Sequence, residues 1–311
     1  MIEVLNPGTR TTIQDAGRPG YRHMGIPASG AADPLCFALA NYLVGNRWNA
    51  PALECTMGGL HLKFLEDTTI GLAGAHMWTQ INGQNVENFT ALPVRKNDIL
   101  TMSFARGGCR AYIAFARGLR AERFLGSCST YIPAKLGGLG GRALKTGDKL
   151  KTHNRPCDAP RKIPLGFAPA LSHHVVLRAH HGPEFEQLTQ QSKRHLFVSP
   201  YITSDKTDRM GARLRGNNVE TQAPISMTSS PLLPGTLQVL PNGQPILTLI
   251  DAQCTGGYPR ALQVIKADQW LLGQIAPGTQ VSFRRCFDDD AADILKARNS
   301  FYSSLIDGFS F

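Results

Sequence analysis

No run in the 311 residues reaches the roughly 20 consecutive apolar positions that a bilayer-spanning helix requires. The opening, Met1-Ile2-Glu3-Val4-Leu5-Asn6-Pro7-Gly8, has neither a basic n-region nor an apolar core, so no secretory leader is expected and the cytoplasm is the expected compartment. Charged residues make up only 18% of the chain against 42% apolar, a balance that excludes a disordered polyelectrolyte. The seven cysteines, at 36, 55, 109, 128, 157, 254 and 286, are odd in number and never spaced Cys-x-x-Cys. A disulfide framework and a zinc ribbon are thereby disfavoured, leaving reduced, partly buried thiols. Walker-type G-x-x-x-x-G-K-[ST], G-x-S-x-G and H-E-x-x-H are all missing, as is a Met-Lys-Met biotin-attachment site. The glycine-rich stretch 137–141 lacks G-x-G-x-x-G spacing and reads as a tight or mobile turn. In His173-His174 and His180-His181, neighbours on a strand point to opposite faces, so no metal site is expected.

What is abundant is glycine, 31 residues, and proline, 20, which break the apolar runs into short pieces. That pattern predicts a mostly β chain with few short helices. Asp33-Pro34 opens a predicted helix, with Asp as cap and Pro at the first turn, carrying Leu35, Leu39, Tyr42 and Leu43 and stopping at Gly45. Residues 52–115 read as successive strands, and Asn82-Gly83 and Pro241-Asn242-Gly243 as hairpin turns. A C-terminal helix is predicted from Asp288, with Ile294, Ala297, Phe301 and Leu305 as its apolar stripe. The irregular stretch 126–170 marks the main boundary, giving two β-rich subdomains, 1–170 and 171–311. The net charge of +10 favours anionic ligands or an acidic partner protein. Nucleic acid is disfavoured, because the basic residues form no long run or RNP-like motif, and no membrane partner is expected.

Three segments carry a resemblance. The first runs through Thr11-Thr12-Ile13-Gln14-Asp15, Gly17-Arg18, Gly20-Tyr21, Gly25-Ile26-Pro27 and Ser29-Gly30-Ala31-Ala32-Asp33, then Ala52-Leu53-Glu54 and Gly58-Gly59. The second is Gly182-Pro183-Glu184 with Asp208-Arg209-Met210-Gly211. The third joins Pro234-Gly235-Thr236-Leu237-Gln238-Val239, Asn242-Gly243-Gln244-Pro245 and Asp251-Ala252-Gln253-Cys254-Thr255-Gly256-Gly257-Tyr258-Pro259. Together they resemble the family called allophanate hydrolase subunit 2, or biotin-dependent carboxyltransferases. The resemblance implies a cyclophilin-like β-barrel. It also implies two partners, a lactam-utilisation protein and a smaller homologous subunit.

Gly126-Ser127-Cys128-Ser129-Thr130 and Asp251-Ala252-Gln253 look closest to the 5-oxoprolinase members. That implies a subunit of an ATP-dependent complex converting 5-oxo-L-proline to L-glutamate. ATP and Mg²⁺ would act at the level of the complex, and the chain alone would be inactive. Two alternatives within the resemblance are a biotin-dependent, urea-type amide carboxyltransferase and a non-catalytic regulatory partner of a kinase inhibitor. The chain departs from the family at Val239-Leu240-Pro241, where relatives read Val-Pro. It departs again at Ser229-Ser230-Pro231, where relatives carry Glu or His at the position of Ser230.

A lactam is resonance-stabilised, so opening it calls for anion clamps, carboxylates and donors to a developing oxyanion. Arg18 and Arg209 are candidate anion clamps, or structural ion pairs. Asp251 is a candidate base or metal-side carboxylate, or a turn cap. Thr255, Gly256 and Gly257 are candidate backbone donors and Tyr258 a phenol donor, or together a tight turn. Gln238 is a candidate donor to an amide carbonyl, or a strand-edge hydrogen bond, and Ser29 a candidate pocket residue. Asp33 and Glu54 are expected as a helix cap and a buried ion pair. The mechanistic reading requires Arg209, Gln238 and Tyr258 to share one cleft.

Overall fold

A computed structural model describes residues 1–153, 159–223 and 227–311; Cys157 lies outside the described residues. The chain forms two compact units, and each is taken by itself. The first comprises residues 1–18, 29–171 and 300–310, the second 19–28, 172–299 and 311. The main division thus falls beside residue 171. Residues 19–28, read in sequence with the N-terminal part, cluster with the second unit, where Arg22 makes its hydrogen bonds.

The first unit is built on one nine-stranded sheet. Its strands are β1 (Ile2–Pro7), β2 (Arg10–Gln14), β3 (Ala52–Thr56), β4 (Leu60–Phe64), β5 (Thr68–Ile81), β6 (Gln84–Val86), β7 (Thr90–Val94), β8 (Ile99–Phe115) and β9 (Lys149–Leu150). The order is β2-β3-β8-β4-β1-β9, with β5 against β8 and both β6 and β7 against β5. Between β5 and β6, Asn82 (φ 50°) and Gly83 (φ 81°) are both left-handed, as the tightest hairpin turns demand.

Helix α1 (Pro34–Leu43) packs on this sheet. Asp33 caps it, accepting from the Cys36 N–H at 2.9 Å. The approach is close: a Cβ on Gly71 of β5 would lie 2.2 Å from the Ala40 carbonyl. Glu54 accepts from the Ala32 N–H and the Tyr112 hydroxyl, both at 2.9 Å, with Arg110 at 3.4 Å. Asp33 and Glu54 are therefore the cap and the buried ion pair that the sequence suggests. Stretch 137–141 is a tight turn: a Cβ on Gly137 (φ 65°) would lie 2.4 Å from the Ser129 carbonyl.

The second unit is a closed seven-stranded barrel. Its chain order adds β10 (His174–His181), β11 (Tyr201–Thr207), β12 (Gly211–Arg215), β13 (Ser230–Pro231), β14 (Thr236–Val239), β15 (Pro245–Thr248), β16 (Thr255–Gly256), β17 (Arg260–Val264) and β18 (Gln280–Arg285). The barrel runs β10-β17-β14-β15-β12-β11-β18 and closes through parallel pairing of β10 with β18. Leu237, Val239, Leu247, Ala261 and Leu262 fill its core. Since strand neighbours alternate in direction, Gln238 faces outward between two core residues. The remaining strands, β13 and β16, form a separate two-stranded ribbon.

Helix α2 (Gln190–Val198) starts at the capping hydroxyl of Thr189. Helix α3 (Asp288–Ser303) opens on three aspartates, which complement its positive end. Its buried stripe differs from the predicted one. Ala291, Ile294 and Leu295 pack against Ile265, Ala267 and Cys286, and Tyr302 is buried, while Phe301 stays 45% exposed. Contact with Cys286, just before the helix, sets its rotation by packing that the sequence pattern alone does not contain. No described helix is long and apolar enough to cross a membrane.

Candidate functional site

The segment Thr255-Gly256-Gly257-Tyr258-Pro259 leaves the ribbon and runs into barrel strand β17. It lies over the outer face of β14. There Gln238, 4% exposed, donates its Nε2 to the Tyr258 carbonyl at 3.3 Å. Glycine at 256 makes this possible, since a Cβ there would sit 2.7 Å from that same Nε2. Gln238, Gly256 and Tyr258 are thus brought together.

A cavity of about 800 Å³ opens beside the segment. It is lined by residues 218–223, Met227, residues 239–243 and residues 257–259. Gly257 and Tyr258 line it directly, and Tyr258 is 41% exposed. Among the described residues, neither the Gly257 nor the Tyr258 N–H finds an acceptor in the protein. Two successive N–H groups of this kind can converge on one oxygen. The only charged residue described in the lining is Glu220. Among its described lining the cavity holds hydrogen-bonding groups and apolar wall and no cation.

Of Arg209, Gln238 and Tyr258, expected to share one cleft, only Tyr258 is among the residues lining this cavity; Gln238 bonds the Tyr258 carbonyl, and Arg209 is held by Asp251. Arg209 donates Nε to Asp251 at 2.7 Å and Nη2 at 3.2 Å, a fork on a carboxylate with both side chains nearly buried. The Asp251 N–H also donates to the Arg209 carbonyl at 2.8 Å. The two candidates are thus paired with each other, at the root of the loop leading to Thr255. The guanidinium charge is already matched by a buried carboxylate. Arg18 belongs to the first unit, fully buried, and its guanidinium donates to the Ser129 and Phe124 carbonyls, so it holds backbone. Ser29 is also in the first unit. It is buried in left-handed backbone (φ 53°), and its hydroxyl has no hydrogen-bond partner among the described residues. Neither residue is among those lining the cavity.

Two arginines of the site escaped sequence reasoning. Arg260 forks onto Glu184 at 2.8 and 2.9 Å and donates Nη1 to the Pro231 carbonyl of the ribbon at 3.1 Å. Its position directly after Tyr258-Pro259, and the quoted Gly182-Pro183-Glu184 motif, were the available signals. Arg22 donates to the Leu232 carbonyl and, at 3.2 Å, to the Gln253 carbonyl. No pattern in the sequence marks it. Among the described residues, no group of three or more His, Cys, Asp or Glu side chains could hold a metal ion.

The model of the carboxyltransferase domain, subdomains A and B, matches residues 24–285. The C subunit of the 5-oxoprolinase of Escherichia coli (strain K12) is 38% identical over 298 residues, covering 96% of this chain and 94% of the relative. That of Haemophilus influenzae is 35% identical over 98% of this chain and 97% of its own. The solved structure of Kluyveromyces lactis urea amidolyase superposes on 99% of the chain with a TM-score of 0.92 at 28% identity. This chain spans 20% of that longer protein.

Two expectations concern the ion pairs. Replacing Asp251 with Ala leaves a buried guanidinium without its carboxylate and should cost about 3–5 kcal/mol in denaturant unfolding. The double change Arg209→Met, Asp251→Leu should cost clearly less; equal losses would contradict the ion-pair reading. For Glu184, hydrogen bonding to Arg260 holds its carboxyl below the usual value of 4.5. A lowered folded pKa contributes stability that is full above the unfolded value and is lost as pH falls through the folded one. Glu184→Gln should therefore lower Tm at about pH 6, and the gap to wild type should close as the solution is acidified below about pH 4. A gap independent of pH would show that the pair contributes nothing.

Proposed function

The chain belongs to the carboxyltransferase family of subdomains A and B, and from that membership we propose that it is one subunit of an ATP-dependent 5-oxoprolinase, opening 5-oxo-L-proline to L-glutamate. Support comes from relatives and from geometry. Two 5-oxoprolinase subunits are similar to it along nearly their whole lengths. The observation that carries the chemistry is that two adjacent N–H groups without acceptors among the described residues belong to Gly257 and Tyr258, which line the cavity.

In this reading the lactam oxygen accepts from those two N–H groups, with the Tyr258 hydroxyl as a further donor. Water attack on the ring carbon pushes charge onto that oxygen, and fixed donors stabilise it more than the ground-state carbonyl. Gln238, by holding the Tyr258 carbonyl, fixes the peptide plane before substrate arrives. ATP bound in the complex would phosphorylate that oxygen; the C–N bond then breaks as the ring nitrogen takes a proton, and the acyl phosphate left behind is hydrolysed by a second water to glutamate and inorganic phosphate.

The cavity lacks cations among its described lining, so we assign the phosphates, their Mg²⁺ and the substrate carboxylate to residues of the partners. Those partners are a lactam-utilisation protein and a smaller homologous subunit. The chain alone is then inactive. The roles of Arg209 and Asp251 become support of the loop that delivers Thr255, and those of Arg18 and Ser29 lie in the fold of the first unit. A urea-type, biotin-dependent carboxyltransferase is the second reading. Its specific support is the backbone similarity to urea amidolyase, and urea would use the same donors.

Co-expression of the chain with its cognate partners should yield ATP-dependent glutamate from 5-oxoproline, and the chain alone none. Gln238→Ala in the complex should lower kcat about 10- to 100-fold. Absence of glutamate with every cognate partner set would reject the proposal. In that case an avidin-reactive carrier with urea carboxylation supports the second reading. Stoichiometric partner binding without turnover supports a regulatory protein.

A further inference from the structure

The ribbon that carries Thr255 and Gly256 has only two residues in each strand, Ser230–Pro231 and Thr255–Gly256. A ribbon so short has too few backbone bonds to hold its own shape. One side chain tying it down lies more than 200 positions away in sequence. Arg22 sits at the start of the turn Arg22–Met24, in segment 19–28, which clusters with the second unit. Its backbone is fixed by its own carbonyl accepting from the Gly25 N–H at 3.0 Å, with Gly25 in left-handed backbone. Its guanidinium reaches the Leu232 carbonyl and, at 3.2 Å, the Gln253 carbonyl. Those residues flank the two strands at one end of the ribbon, Leu232 just after one and Gln253 shortly before the other, where the Leu232 N–H donates to the Cys254 carbonyl at 3.0 Å.

We propose that Arg22 is a positioning residue of the amide site, clamping both strands of the ribbon so that the Gly257 and Tyr258 N–H groups stay aimed at one oxygen. This rests on the amide-site reading above. Three side chains then hold the segment along its length. Arg22 ties the end at Leu232 and Gln253, Arg260 the Pro231 carbonyl, and Gln238 the Tyr258 carbonyl. A planar guanidinium suits the first task, because its forked donors meet two carbonyls at once, which an ammonium does less well.

Cys254 lies on the ribbon beside both carbonyls and is half-buried, whereas Cys36, Cys55 and Cys109 are buried in the first unit. Its thiol labelling, followed by mass spectrometry on the full chain, reads ribbon opening directly. In Arg22→Ala, Cys254 should label about tenfold faster while the buried thiols stay protected and Tm barely moves. In the assembled complex the same variant should lose about 10- to 100-fold in kcat with little change in KM, and Arg22→Lys should recover part of both effects. Unchanged Cys254 labelling would overturn the clamp. Faster labelling with normal turnover would overturn the positioning role. Should the wild-type complex make no glutamate, the amide reading itself fails, and the Cys254 labelling still decides whether Arg22 holds the ribbon.

Discussion

The site depends on a close approach: the amide of Gln238, on the outside of a barrel strand, beneath a glycine. Gln238 is hidden from solvent, with the Thr-Gly-Gly-Tyr-Pro segment close against its amide. A buried amide donor needs an acceptor, and the Tyr258 carbonyl provides one. Any side chain at 256 would displace that amide. The barrel wall thereby sets the path of the segment, and the path leaves two consecutive N–H groups without acceptors in the described protein.

The charges around this segment are arranged to support it. Arg209 with Asp251, and Arg260 with Glu184, each place a forked guanidinium on a carboxylate. Both pairs flank the loop that carries the donors. Among the described residues, the cavity lining holds apolar wall, uncharged polar side chains such as Asn218, Gln222 and Asn242, and one carboxylate, Glu220. A neutral planar group matches such a surface better than an anion does, since an anion moved out of water with no counter-charge pays a desolvation cost it cannot recover. This division of labour fits a chain whose relatives are named as subunits.

Much of the fold was legible in the sequence because it follows local rules. Asp33-Pro34 starts a helix wherever it stands before an apolar repeat, and Asn82-Gly83 turns a hairpin by backbone preference alone. The glycines at 256 and 257 marked a turn for the same reason, and that turn runs beside the cavity. What was not legible was pairing over long separations. The sequence leaves Arg209 open as clamp or ion pair and Asp251 as base or turn cap, and their 2.7 Å contact, 42 positions apart, is not written in either segment. The α3 stripe was misread because a helix pattern gives the period of burial, whereas its rotation comes from the residues it meets. Arg22 carried no signal, since its partners are main-chain carbonyls more than 200 residues away, and any residue could supply those.

Hydrogen exchange on the assembled complex, followed by mass spectrometry with and without 5-oxoproline, tests the central claim most directly. If the Gly257 and Tyr258 N–H groups grip the lactam oxygen, exchange in the peptide spanning residues 254–259 slows on adding substrate. If that peptide exchanges at the same rate while protection appears only in other parts of the complex, the amide site lies elsewhere.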